Sequence, residues 1–80
     1  MPHITVKMFP GRSPEKKQEL ARALRDCVSQ VLACDPGHVS VALTDVRPED
    51  WDLVYRQEMA DNENLLLPPT YQPGDELKHK

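Results

Sequence analysis

The sequence predicts an α+β domain: a β-α-β unit with parallel strands, a second helix after it, and a sheet extended by oligomerisation. Three observations carry this. Two short runs alternate apolar and polar residues at strand period, two longer runs repeat apolar residues at helical period, and the four follow one another as strand, helix, strand, helix. Strands joined through a helix are normally parallel with a right-handed crossover. Two strands alone leave two open edges and one bare face, so a two-fold partner that extends or stacks the sheet is expected.

The first strand is "HITVKMF". Ile4, Val6 and Met8 point one way and His3, Thr5 and Lys7 the other, with Phe9 breaking the polar side. "PGRSP" ends it. Gly11 supplies the turn, Ser13 is a good N-cap, Pro14 suits the first helical position, and Glu15 complements the helix dipole. The helix that follows carries Leu20, Leu24, Cys27 and Val31 at spacings of four, three and four, widened by Ala21, Ala23, Val28 and Leu32, with Gln18, Arg22, Arg25 and Ser29 as its wet face. Cys27 reads as a small core hydrophobe. "CDPGH" stops the helix near Ala33.

"HVSVALTDV" is the second strand, with Val39, Val41 and Leu43 on one face and Ser40, Ala42 and Thr44 on the other. "VRPEDWDLVYRQEM" reads as the second helix: Pro48, Glu49 and Asp50 fill its first turn, and Trp51, Val54, Tyr55 and Met59 recur at helical spacing. Beyond it periodicity is lost. "LLLPPTY" is an apolar extended arm that a free monomer would leave exposed. Residues 1–72 therefore read as a single domain with a C-terminal arm, and 73–80 as a disordered tail.

A domain of 80 residues buries only about 60% of the surface its unfolded chain exposes. The two cysteines, Cys27 and Cys34, show neither metal-type spacing nor a secreted disulfide framework, which leaves association as the source of further burial. The net charge is −3, and no basic stripe with interleaved aromatics occurs, which argues against nucleic acid as a partner. The opening holds no long apolar run, so neither a signal peptide nor a membrane span is expected, and a cytoplasmic location is. No glycine-rich phosphate loop, metal cluster or nucleophile triad is legible, so no cofactor is expected.

The chemistry centres on Pro2. Inside a chain, proline carries no amide hydrogen and is no base. Methionine before proline is commonly removed in the cell, and removal of Met1 would free a rigid secondary amine at the head of a strand. Burial and a nearby cation lower an amine's pKa, and a general base works best near the operating pH. Arg12, just past the first strand, is the matching cation: a guanidinium there can hold a carboxylate bidentately and stabilise a developing enolate. Trp51, opening the second helix, can wall an apolar pocket that excludes water.

Taken together at these spacings, "MPHITVKMFPGRSPEKKQELARAL" and "VSVALTDVRPEDW" resemble the tautomerase superfamily in its 4-oxalocrotonate tautomerase group, over about residues 2 to 60. The longer second helix, "PEDWDLVY", and the arm look closest to the bacterial PptA-like subgroup. The resemblance implies a tautomerase-like fold, a homodimer, and cofactor-independent keto–enol tautomerisation of a small 2-oxo acid or enol such as phenylenolpyruvate. Pro2 would be the general base and Arg12 the carboxylate-binding residue. Trp51 falls where the family has an aromatic pocket residue. A second family arginine aligns with Ser40, which weakens the case for a dicarboxylate; Arg47 lies near enough in sequence to substitute. His3 would lie at a subunit contact or touch substrate. Two other readings stand beside this one. In a hydratase or dehalogenase the same proline would activate water, with Glu49 or Asp50 assisting. In a non-enzymatic dimeric module "LLLPPTYQP" would be offered to a partner.

Overall fold

Alternation in the first run is realised as strand β1, His3–Met8, in the computed structural model of the chain, which describes residues 1–71. Ile4, Val6 and Met8 are half-buried, while His3 and Thr5 are exposed. The chain then leaves the strand through Gly11, whose φ of 124° lies where a side chain would be strained. Helix α1, Pro14–Leu32, starts as its sequence dictates. The Ser13 hydroxyl accepts the Lys16 N–H at 3.1 Å, the Ser13 carbonyl accepts the Lys17 N–H at 3.0 Å, and Pro14 occupies the first turn, where its missing N–H costs nothing.

The helix ends at Ala33, which adopts φ 55°, ψ 47°. The Ala33 and Cys34 N–H groups both donate to the Ser29 carbonyl, and the Ser29 hydroxyl donates to the Cys34 carbonyl. Alanine tolerates the left-handed region less well than glycine. Ala33→Gly is therefore expected to stabilise the fold by about 0.5–1 kcal/mol, read as a rise of a few degrees in a thermal melt; an unchanged or lower midpoint would show that Ala33 carries no strain.

A 3₁₀ turn at Pro36–His38, capped by the Asp35 carboxylate on the Gly37 N–H at 2.8 Å, leads into β2, Ser40–Asp45. The strand is shorter than its alternating run, 38–46, because the 3₁₀ turn takes His38 and Val39 caps it. The two strands pair in parallel, His3 opposite Ser40, Ile4 opposite Val41 and Met8 opposite Asp45. The Ser40 N–H donates to the Pro2 carbonyl at 3.1 Å, which extends the pairing to the residue before β1.

The face that α1 turns to the sheet differs from the expected stripe. Leu20, Ala21, Leu24, Arg25, Val28 and Ser29 are half-buried, and Lys17 reaches across to Asp45 at the end of β2 with Nζ–Oδ2 at 2.6 Å. Cys27 is exposed rather than core, Val31 is 75% exposed and Leu32 60%, while Arg25 and Ser29 are drawn inward. The apolar residues cover more of α1 than a two-stranded sheet can bury, so rotation about the helix axis decides which of them are covered, and Ala23, Cys27 and Val31 are left facing outward.

The chain divides into two compact units, Met1–Asp45 and the remainder from Val46. In the second, the helical run expected as one α-helix has three geometries: a 3₁₀ turn at Pro48–Asp50, α2 at Trp51–Tyr55, and a π-helical turn at Arg56–Ala60 closed by the Asp61 N–H on the Arg56 carbonyl at 2.9 Å. Tight 3₁₀ turns are common at helix starts, and π turns insert one residue into a helix. Val54 is buried and Trp51, Tyr55 and Met59 are half-buried, as their spacing predicts. The Trp51 indole N–H donates to the Tyr71 hydroxyl at 2.9 Å, and the Tyr55 and Tyr71 rings lie 5.9 Å apart, tilted by 53°.

Among the described residues only Val39 and Val54 are buried, each 9% exposed. Leu66 and Leu67 of the arm are 89% and 88% exposed. The tail expected to be disordered, 73–80, lies outside the described residues. Among the described residues no helix is long and apolar enough to cross a membrane.

Candidate active site

Pro2 is half-buried at the head of β1, its carbonyl held by the Ser40 amide. Met1 before it is 97% exposed. The residue after it, His3, lies opposite Ser40, and its Nδ1 is 2.6 Å from the Ser40 hydroxyl oxygen. The ring's other nitrogen, Nε2, is 3.4 Å from the Thr5 hydroxyl, longer than a good hydrogen bond. Ser40 therefore touches both the Pro2 backbone and the His3 ring. The sequence alone does not join His3 to Ser40, because their contact depends on strand register; their one sequence signal is a polar residue at matching alternate positions in the two strands.

Arg12 is exposed beyond the far end of β1, and its Nη1 donates to the Phe9 carbonyl at 3.1 Å. A strand rises about 3.3 Å per residue, so the path from Pro2 to Phe9 is about 23 Å. Within one chain Pro2 and Arg12 stand at opposite ends of the strand and do not meet.

Arg47 and Trp51 belong to the second unit. Arg47 is exposed and carries two acids of its own: its Nη1 lies 3.6 Å from Glu49 Oε2 and its Nε 3.4 Å from Asp50 Oδ2. Both carboxylates thus serve the start of the helical run, where negative charge is favoured. Trp51 is half-buried and engaged with Tyr71. Two open hollows, about 160 Å³ along Gln18, Ala21, Arg22, Arg25, Val39 and Val41 and about 310 Å³ along Asp52, Tyr55, Arg56 and Ala60, include neither Pro2 nor Arg12. Among the described residues no group of three or more His, Cys, Asp or Glu is placed to hold a metal ion.

The family model described as "Tautomerase enzyme" matches residues 2–54. The chain is 45% identical over 73 residues to a probable tautomerase of Xylella fastidiosa (strain 9a5c), covering 89% of each protein. It is 34% identical over 73 residues to Tautomerase PptA of Escherichia coli (strain SMS-3-5 / SECEC), covering 89% of this chain and 97% of that one. Among solved structures, the crystal structure of a 4-oxalocrotonate tautomerase homologue superposes with a TM-score of 0.59 at 39% identity, over 64% of this chain and 81% of the other. The parallel β-α-β unit headed by a proline and the match over most of the chain agree: this chain belongs to the tautomerase family of isomerases, in its 4-oxalocrotonate, PptA-like branch.

Proposed function

We propose that the chain is a cofactor-independent keto–enol tautomerase acting on a small 2-oxo acid or its enol, such as phenylenolpyruvate, with the amino-terminal nitrogen of Pro2 as general base. The observation that carries the reading is the placement of Pro2 and Arg12 at opposite ends of one open-edged strand. Antiparallel pairing of two β1 edges centred between Thr5 and Val6 sets residue 2 of one chain opposite residue 9 of the other, where Arg12 is anchored. A two-fold dimer then forms two identical sites, each with a proline from one chain and an arginine from the other. The same pairing adds buried surface to a chain with little core of its own.

In such a site the secondary amine of processed Pro2 exchanges the proton at the substrate carbon, taking it in the enolising direction and returning it on ketonisation. Its ring leaves little freedom to lose, so the lone pair keeps a fixed direction. The arginine holds the substrate carboxylate and offsets the negative charge that grows on the oxygen as the carbon is deprotonated. The homodimer and a cytoplasmic location belong to the same proposal. Glu49 and Asp50, the carboxylates that a water-activating alternative would use, lie 3.6 and 3.4 Å from Arg47 in the described chain.

The test is ketonisation of phenylenolpyruvate by protein shown by mass to lack Met1. Positioned proton transfer contributes about 10²–10⁴-fold, so Pro2→Ala is expected to lose at least about 10²-fold in kcat with the dimer intact. An undiminished rate in that variant rejects the mechanism.

A further inference from the structure

Moving a proton between oxygen and carbon involves two atoms of the substrate, and Pro2 is one group. His3 is the next residue, its Cα about 3.8 Å from that of Pro2. Strand alternation sends the two rings to opposite faces, while the Pro2 nitrogen lies on the main chain at the head of the strand. The imidazole is held more closely on one side than on the other. Its Nδ1 has a close partner in the Ser40 hydroxyl at 2.6 Å, whereas Nε2 has the Thr5 hydroxyl at 3.4 Å, and His3 as a whole is exposed. The Ser40 N–H donates to the Pro2 carbonyl at 3.1 Å, which ties the ring's anchor to the strand head. A ring tethered at one nitrogen with the other loosely engaged suits proton exchange with a bound molecule.

We infer that His3 is a second proton-handling residue of this reaction, oriented by Ser40 and exchanging the oxygen-bound proton of the substrate while Pro2 handles the carbon-bound one. The inference rests on the tautomerase reading above. In the ketonising direction the Nδ1–H of neutral His3 donates to the Ser40 oxygen, leaving the Nε2 lone pair facing the loosely held Thr5 hydroxyl. The enol O–H bond breaks and its proton passes to Nε2. The oxygen electrons form the C=O bond, and the C=C electrons take a proton from the protonated Pro2 amine to form the new C–H bond. The step leaves His3 protonated and Pro2 neutral. Proton exchange with water restores both, so no oxidant, reductant or co-substrate enters. The Thr5 hydroxyl is the group that the substrate oxygen displaces from Nε2.

The experiment uses processed dimer and phenylenolpyruvate, with wild type, Pro2→Ala, His3→Gln, His3→Ala and Ser40→Ala assayed side by side. Glutamine keeps a polar group toward Ser40 but cannot carry a proton. His3→Gln is expected to lower kcat by about 10²-fold with KM within about threefold. Ser40→Ala, which frees the ring without removing it, is expected to fall between wild type and His3→Gln. Added imidazole is expected to restore part of the rate of His3→Ala and none of that of Pro2→Ala, a rescue that a merely structural histidine would not show. Wild-type kcat in His3→Gln, or no rescue of His3→Ala by imidazole, overturns the role of His3 while Pro2-dependent turnover leaves the tautomerase reading in place. Wild-type protein with no Pro2-dependent turnover overturns both.

Discussion

Protein that retains Met1 is expected to ketonise phenylenolpyruvate at least about 10³-fold more slowly than processed protein. Acylation turns the Pro2 nitrogen from an amine into an amide, whose lone pair is delocalised into the carbonyl and cannot accept a proton. A lost general base accounts for about 10²–10⁴-fold, and here the extra residue also occupies the space in front of the nitrogen. The fold does not supply a competing explanation. Met1 is 97% exposed, and the backbone bond that secures the strand head uses the Pro2 carbonyl, not its nitrogen. Retained and processed chains should therefore share the same fold, read as the same secondary structure by circular dichroism. Mixing the two forms in known proportion by intact mass should give a rate linear in the processed fraction; a rate indifferent to that fraction would remove Pro2 from the mechanism.

Mixed dimers should recover activity that neither parent variant has. Arg12→Ala is expected to lose about 10–10²-fold in kcat/KM, since a hydrogen bond to a charged group is worth about 1.5–3 kcal/mol, and Pro2→Ala is expected to lose at least as much. If each site takes its proline from one chain and its arginine from the other, a Pro2→Ala/Arg12→Ala heterodimer contains one site lacking both and one with both intact. Random exchange makes half the dimers mixed, so the recovered rate approaches about one quarter of wild type. A site built within one chain gives no recovery. The separation of Pro2 and Arg12 by the length of β1 favours recovery, because Arg12 folds back on the Phe9 carbonyl at the strand's far end.

The element types and the stops were legible in the sequence wherever the cause is local. Ser13 and Pro14 start α1, and the break at "CDPGH" ends it at Leu32, because caps and prolines act on backbone groups within one helical turn. The alternation of β1 likewise needs only neighbouring residues. The second helical run was legible as helical but not as a succession of 3₁₀, α and π turns, since those differ by a single residue in hydrogen-bond span.

What depended on distant residues was decided by tertiary structure. The stripe of α1 that meets the sheet runs through Ala21, Arg25 and Val28 and leaves Cys27 and Val31 outside, a choice made by rotation against β1 and β2 and marked by the Lys17–Asp45 bridge. The contact of His3 with Ser40 spans 37 positions and exists only in one strand register; a slip of one residue would turn Ser40 to the other face. By itself the sequence determined the family, the order of elements and the residues able to carry the chemistry. Only the tertiary structure decided which of those residues stand together, because register and helix rotation are set by packing between segments far apart in the chain.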